Sequence, residues 1–420
     1  MLAVGACGGP APTPSPTPAP SLSPTPAPSP SPTPGPSGPA GSDTDNALFA
    51  RIEGQVVAIR GLQPKAPVGR RTLDPAALRK LITTNFHQDN PDQLVRDTES
   101  LYKALLLLPA DASLADDWTD LMASQVVGMY DDKTKTMYVV SSTGSIGPAE
   151  EITYAHEYTH ALQDQAFDLE HVMGTETDQG DRSIARRMLV EGDATLLMSL
   201  WARANLTPAE LAAAAGASDP TSQAILDRMP AILKEPLLAQ YTTGLTLALR
   251  TFATGGYGAV DGLFANPPDS TEQVLHADKL TPREPPVAVS LPADLASQLG
   301  TGWSVPLQDT LGELQLMVLL EDAGGLDAAA ATVAAAGWGG DRIALVAGPA
   351  GATGIVLRTA WDTARDADEF RTALGSLVTR LEAAGRAASV GGQGSDIILS
   401  VGDSPATLAA LTGVGFPAGG

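Results

Sequence analysis

The sequence has few of the residues on which several classes of protein depend. Its 420 residues include one cysteine, Cys7, which excludes an intrachain disulfide framework and a zinc site built from cysteines. Lysine and arginine number 26 against 48 aspartates and glutamates, and this acidic excess disfavours a nucleic-acid partner because phosphates are also negative. No apolar run reaches the roughly 20 residues of a membrane-spanning helix, and Leu105–Leu108 is typical of a core fragment.

Aromatic residues and histidines are also scarce. Aromatic residues make up 5% of the chain and hydrophobic residues 43%, so we expect a folded core in which helices pack through small side chains. The length allows two or three domains, since a domain usually has about 100–200 residues. Histidine occurs five times, and two of these residues, His156 and His160, are four positions apart.

The first 44 residues are predicted to be a tether rather than a domain. From Pro10 to Pro39 the chain alternates proline with alanine, serine and threonine, which predicts an extended polyproline II spacer. Leu2–Gly8 resembles the end of a bacterial lipoprotein signal, in which small residues precede a lipidated cysteine. The resemblance implies lipidation at Cys7, a lipid anchor in the cell membrane and an extracytoplasmic folded part. The alternative is a chance cysteine in a disordered leader.

The rest of the sequence predicts an α+β protein that is mainly helical. A first domain is predicted at 45–285 and a smaller α+β domain at 286–420, with the proline-rich segment Pro282–Pro286 between them. The predicted helices are Asn46–Ile59, Asp92–Leu107, Leu114–Gln125, Ala149–Leu169, Asp181–Asn205, Thr310–Glu321, Asp327–Ala336 and Asp366–Ala384, with others beginning at Asp74 and Thr207. The predicted strands are Val126–Tyr130, Thr136–Ser141, Arg342–Ala347, Gly354–Thr359 and Asp396–Val401, and a tight turn at Gly337–Arg342 packs Trp338 on the core.

His156, Glu157 and His160 form an HExxH motif on the predicted helix Ala149–Leu169. Residues four apart on an α-helix share one face, so both imidazoles can bind one metal ion. Glu157 is rotated by about 100° from His156, so its carboxylate lies beside the metal and can accept a proton from water. The spacing predicts a zinc site on this helix. The alternative is a solvated helix face with two unrelated histidines.

A third zinc ligand has to come from elsewhere in the chain, because a catalytic zinc usually has three protein ligands. His171 follows His160 by eleven residues, whereas the metzincin motif has its third histidine six residues after the second, so we expect His171 on the surface. Glu191 is the better candidate because it lies among apolar residues of the next helix, where an unpaired carboxylate is costly to bury. We expect Gly192 and Ala194 to let this helix approach the HExxH helix. The alternative is Glu191 on a solvated face.

An HExxH helix followed by a glutamate ligand resembles the gluzincins, a class of zinc peptidases. Further motifs are similar to those of a family of bacterial lipoproteins with gluzincin-like sequences, and the resemblance covers roughly Asn46 to Phe370. These motifs are Ala155–Gln165, Leu189–Ala194, Gln240–Gly244, Ser270–His276 and Ala335–Arg342. The GxMEN signature of zinc aminopeptidases is absent, so trimming of peptides from the N-terminus has no support.

The resemblance implies a gluzincin-like metallopeptidase domain, with the HExxH helix next to a small β-sheet, and a role for each motif residue. Zn²⁺ would be the cofactor, held by His156, His160 and Glu191, with Glu157 as general base. Many gluzincins orient a histidine through an aspartate four residues after the glutamate ligand, a position that Thr195 occupies here. Asp193 or Asp164 could take over that role, and we favour Asp193.

Peptide hydrolysis also needs a donor for the developing oxyanion. Tyr241 and His276, both downstream of Glu191, are the two candidates. The alternatives are a half-buried tyrosine with a satisfied hydroxyl and a histidine that caps local structure. Tyr154 and Tyr158 flank the HExxH motif and are expected to be packing residues.

In gluzincins the edge strand ahead of the HExxH helix receives the substrate in extended form. The resemblance therefore gives Thr136–Ser141 the role of binding substrate by strand addition. The alternative is an ordinary sheet edge with no ligand.

Together these patterns predict a membrane-tethered, extracytoplasmic zinc metallohydrolase. The expected reaction is hydrolysis of peptide bonds by zinc-activated water, with a peptide or protein as substrate. The alternative is a non-catalytic zinc-containing lipoprotein that acts as a binding or structural module at the cell surface.

Overall fold

A computed structural model describes residues 43–126, 128–140, 146–216 and 220–416. The predicted tether, with Pro10–Pro39 and the proposed lipidation site Cys7, lies outside the described residues. The described chain is an α+β protein, mainly helical, with two small sheets, which confirms the predicted class. None of its helices is long and apolar enough to span a bilayer.

The first part of the described chain is dominated by helices. Its elements are α1 (Asp43–Arg60), β1 (Gly69–Leu73), α2 (Pro75–Asp89), α3 (Asp92–Ala104), α4 (Leu114–Gln125), β2 (Gly128–Asp131), β3 (Thr136–Val140), α5 (Pro148–Phe167), α6 (Leu169–Met173), α7 (Gly180–Asn205), α8 (Pro208–Ala215), α9 (Pro220–Arg228) and α10 (Ala231–Ala265). Helix α10 is kinked at Gly255 and Gly256, where the backbone leaves helical geometry.

The remaining elements alternate short helices with a larger sheet. They are α11 (Thr271–Leu275), α12 (Ala277–Leu280), α13 (Leu295–Leu299), β4 (Ser304–Asp309), α14 (Gly312–Val318) with a π-helical extension (Leu319–Ala323), α15 (Ala328–Ala335), β5 (Trp338–Ala347), a 3₁₀ turn (Pro349–Gly351), β6 (Thr353–Trp361), α16 (Ala364–Ala383), β7 (Ala387–Gly391), β8 (Asp396–Gly402) and α17 (Pro405–Thr412). The five strands pair in the order β4-β5-β6-β8-β7.

The small sheet beside α5 has the order β1-β3-β2. Strand β1 pairs in parallel with β3 along its whole length, from Gly69 opposite Thr136 to Leu73 opposite Val140. The prediction that Thr136–Ser141 is an edge strand is therefore wrong for its described part, because the unpredicted strand β1 covers that side. The edge nearest α5 belongs to β2.

Helix α7 packs between α5 and α10 and approaches α10 very closely. A Cβ atom added at Gly192 would lie 2.1 Å from the carbonyl oxygen of Gly244 on α10. The sequence predicts that Gly192 serves the contact with the HExxH helix, but in the structure it serves the contact with α10. Gly192 is rotated by about 100° from Glu191 along the helix, so it faces α10 while Glu191 faces α5.

One hydrophobic cluster joins the first part of the chain to the larger sheet. It contains Leu101 and Leu105 from the end of α3 together with Trp338, Leu357 and Phe370. Trp338 is fully buried, as predicted, but it begins strand β5. The tight turn predicted at Gly337–Arg342 is limited to Gly337, whose φ of +77° lies in the left-handed region.

Candidate metal centre

Helix α5 presents the two histidines of the HExxH motif on one face. Pro148 occupies its first turn, and the Glu150 carboxylate accepts a hydrogen bond from the Gly147 N–H at 2.9 Å, which stabilises the start of the helix. The ring centroids of His156 and His160 are 4.7 Å apart and their Nε2 atoms 3.0 Å apart. Both side chains are buried, with 7% and 8% exposure.

Helix α7 brings Glu191 to the same point. Its Oε2 lies 3.1 Å from Nε2 of His156 and 3.4 Å from Nε2 of His160, and these three residues form a group able to hold a metal ion. Zinc bonds of about 2.0–2.1 Å at tetrahedral angles would place two ligand atoms about 3.3 Å apart. The observed separations agree with that spacing, so these side chains fit a zinc ion.

Gln163 determines which nitrogen of His160 faces the metal position. Its side-chain N–H groups donate to the Val190 carbonyl at 3.0 Å and to the Asp193 carboxylate at 2.8 Å. Its oxygen is therefore left to accept from Nδ1 of His160, at 2.8 Å. With the proton on Nδ1, the lone pair of Nε2 points to the metal position. His156 has no such support, since its buried Nδ1 lacks a hydrogen-bond partner among the described residues.

The aspartates expected to orient a histidine do not contact one. Asp193 accepts from Gln163 and from the buried guanidinium of Arg60, at 3.0 Å, so it acts on His160 through Gln163. Asp164 accepts from the Tyr130 hydroxyl at 2.7 Å and from Lys135 at 2.6 Å. The hydrogen bond to His160 comes instead from Gln163, three residues further along the same helix.

Glu157 lies beside the cluster and is held by the small sheet. Its Oε2 accepts a hydrogen bond from the backbone N–H of Tyr130 on β2 at 2.8 Å. Burial raises the pKa of this carboxyl, although His156 and His160 oppose the shift. A buried carboxylate with one fixed oxygen is suited to accept and return a proton.

The structure brings Tyr241 to the cluster. The centroid of its ring is 6.1 Å from that of His156. Its packing, and then the carboxylates of Glu191 and Glu157, raise the pKa of the phenol, so the hydroxyl stays protonated and can donate. Tyr154 and Tyr158 are buried packing residues, as their positions predicted.

The other two histidines considered lie elsewhere. Nε2 of His276 contacts Glu313 on α14 at 2.8 Å, and within the described part no hydrogen bond or ring contact joins His276 to the three ligand residues. His171 is exposed on α6, which agrees with the surface position predicted for it.

A cavity of about 100 Å³ adjoins the cluster and shares His160 and Glu191 with it. The rest of its wall is formed by Tyr130, Asp132, Leu169, Met173, Arg187 and Val190. Sequence reasoning missed Arg187, although its spacing of four residues before Glu191 on one helix places both on the same face. It also missed Asp132, for which only the folded hairpin gives the position.

Comparisons with known proteins give a partial match. A family model described as a domain of unknown function (DUF8575) matches residues 301–408, which contain the larger sheet. No curated protein matches the chain, and no solved structure does either. The matched residues include neither α5 nor α7, so the match says nothing about the metal centre.

Proposed function

We propose that this protein is a zinc-dependent metallohydrolase that cleaves peptide bonds. The observation that carries the proposal is the convergence of His156, His160 and Glu191 at tetrahedral spacing, with Glu157 beside them. Two histidines and one glutamate form a recurrent ligand set of catalytic zinc, which leaves a position open for water or substrate. A purely structural zinc site is instead closed by a fourth protein ligand, and the group found among the described residues has three.

The chain's own residues supply the proton transfers and the orientation. Zinc, when bound, acidifies water and polarises a carbonyl oxygen. Glu157 accepts a proton from the attacking water while the new carbon–oxygen bond forms, and then delivers it to the amine as the carbon–nitrogen bond breaks. Tyr241 donates a hydrogen bond to the carbonyl oxygen as it gains charge.

The proposal also includes an extracytoplasmic location. It is supported by the lipoprotein-like sequence before Cys7 and by the proline-rich stretch Pro10–Pro39. If the Cys7 lipid anchors the protein in the membrane, a spacer of that length would hold the folded part away from the membrane surface. The substrates would then be peptides or proteins at the cell surface.

Replacement of Glu157 by glutamine tests the reaction. We expect Glu157→Gln to lower the hydrolysis of an unfolded fluorescent protein substrate by at least about 100-fold, the usual contribution of a general base, while zinc stays bound. Glu151→Gln is the matched control, because Glu151 lies on the same helix and pairs with Arg51. Zinc-loaded wild type that cleaves no member of broad peptide libraries would favour the non-catalytic module instead.

A further inference from the structure

Arg187 is a cation beside the metal centre that has no ion-pair partner among the residues that the structure describes. It is half-buried on α7, one turn before Glu191, and lines the cavity. Its neighbours Arg182 and Arg186 both approach the Asp269 carboxylate, at 3.4 and 3.6 Å. Arg187 makes no hydrogen bond or ion pair with any residue in the described ranges. The other partly buried arginines of this helix, Arg182 and Arg186, each have an acidic partner.

The charge of Arg187 is retained despite its surroundings. Burial lowers the pKa of the guanidinium, while Glu191 and then Asp132 raise it, and arginine stays protonated in proteins. A guanidinium withdrawn from water without a partner is unfavourable. Glu191 does not serve as its partner, because it contacts His156 and His160. The side chain is therefore available to an anion that enters the cavity.

Asp132 is a second charged group in the wall of the same cavity. Its residue is 6% exposed, and its Oδ1 has no hydrogen-bond partner among the described residues. The cavity wall thus offers one cation and one hydrogen-bond acceptor, and Leu169, Met173 and Val190 add apolar surface. A ligand that satisfies all of them must carry an anion, an N–H donor and an apolar part. An amino-acid unit of a peptide that bears a carboxylate has these three features.

We propose that Arg187 binds a carboxylate of the substrate, so that the protein acts on peptides with a carboxylate close to the scissile bond. A planar guanidinium pairs with a carboxylate through two parallel hydrogen bonds, which fixes orientation as well as charge. The carboxylate comes either from the C-terminus of the peptide or from an aspartate or glutamate side chain. This inference names the substrate class of the proposed zinc peptidase and rests on that proposed function.

Binding measured in the absence of turnover separates the inference from the reaction. The probes are N-acetylated hexapeptide pools in three forms. The first has a free C-terminal carboxylate, the second has a C-terminal amide and no acidic residue, and the third has a C-terminal amide on a last residue that is glutamate. Zinc-loaded full chain with Glu157→Gln is titrated with each pool by calorimetry. We expect one or both carboxylate forms to bind about 10- to 100-fold more tightly than the plain amide, as for a hydrogen-bonded charge pair.

Substitutions at Arg187 then show where the carboxylate binds. Arg187→Gln should remove the preference and leave affinity for the amide pool unchanged, and Arg187→Lys should retain part of it. Arg186→Gln is the matched control, since Arg186 lies next to it but pairs with Asp269. Thermal unfolding of each variant checks that the fold is intact. In protein that keeps Glu157, kcat/KM for the three pools should follow the same pattern as the affinities.

Each outcome bears on the inference. A preference that survives in Arg187→Gln would place the carboxylate on the metal and overturn it. Equal losses for carboxylate and amide pools would give Arg187 a neutral backbone contact and overturn it as well. If the preference depends on Arg187 but the wild type hydrolyses none of the pools, the carboxylate site is supported while the proposed hydrolysis fails.

Discussion

Gln163 links the metal centre to a buried network of charges. It lies between His160 and Asp193, and Asp193 pairs in turn with Arg60, whose guanidinium also contacts Asp261 at 2.7 Å. Groups that hold a ligand histidine fix its tautomer and the direction of its ring. The orientation of His160 therefore depends on side chains from α1 and α7 as well as on its own helix.

Loss of Gln163 should weaken zinc binding. We expect Gln163→Ala to lower zinc affinity by about 10- to 100-fold, because Nδ1 of His160 loses its acceptor. The affinity is measured by competition with a chromophoric chelator. Gln165→Ala is the control, since Gln165 lies on the same helix but contacts the backbone of Lys65 and Ala66 near the surface. Equal affinities of Gln163→Ala and wild type would contradict the tautomer assignment.

The sequence could predict the residues of the centre only where local spacing determines them. His156 and His160 are four residues apart, a spacing that places two side chains side by side on one helix face. Glu191 was recognisable by its apolar neighbours in the sequence. The partners of Asp193 and Asp164 depend instead on which helices and strands meet. Arg60, for example, is 133 residues from Asp193 in the chain, and no periodicity reveals that pair.

The close contact between α7 and α10 positions Tyr241 relative to Glu191. At Gly192 and Gly244 the backbones of the two helices are in contact. A Cβ atom added at Gly244 would lie only 2.3 Å from the Met188 carbonyl oxygen, so neither helix has room for a side chain there. Tyr241 on α10 and Glu191 on α7 are each within a turn of this contact. The distance between the two helices therefore sets how closely Tyr241 approaches the ligands.

Alanine at Gly192 should disturb both stability and zinc binding. We expect Gly192→Ala to lower the free energy of unfolding by about 3 kcal/mol, the upper end of the usual overpacking range, and to weaken zinc binding by displacing Glu191. The control is Gly262→Ala on α10, where an added Cβ meets nothing within 4 Å. That change should be neutral or stabilise by about 0.5–1 kcal/mol. Urea unfolding measures both, and an unaffected Gly192→Ala would contradict the close contact.

Among the secondary elements, several helices were predicted with accurate bounds, whereas the long helix α10 and the strands β1, β4 and β7 were not predicted. Leu114–Gln125 has the predicted bounds, and Asp181–Asn205 differs from α7 by one residue. Strand β1 was missed because its sequence, GRRTL, is mostly exposed and lacks the apolar alternation typical of a strand. It exists because its backbone pairs with β3, more than 60 residues later in the chain, and local sequence carries no trace of that pairing.

At the scale of the whole molecule, the two predicted domains share a core. The hydrophobic cluster that contains Leu101 and Leu105 also contains Trp338 and Phe370, so it crosses the boundary predicted at 285/286. The larger sheet also supports the start of α7, because the Asp309 carboxylate on β4 accepts from the Gly180 N–H at 2.8 Å. A negative group at a helix N-terminus stabilises the helix.

This shared core should make the described chain unfold as one unit. We expect a single urea transition for the full chain, with the same midpoint by circular dichroism and by tryptophan fluorescence. A chain that ends at residue 285 should fail to fold, since it would expose the buried side chains at the end of α3. Two separate transitions, or a folded zinc-binding fragment 43–285, would show that the two parts are independent.

The zinc content of the purified protein is the decisive measurement for the metal centre. The full chain is purified with added zinc, freed of loose metal by gel filtration, and assayed for metal per chain by mass spectrometry, beside His160→Ala as the matched variant. We expect one zinc ion per wild-type chain and a loss of most of it in His160→Ala, because the variant removes one of three ligands. Wild type without bound zinc, or a His160→Ala protein that retains as much zinc as wild type, would show that these residues do not form a zinc site.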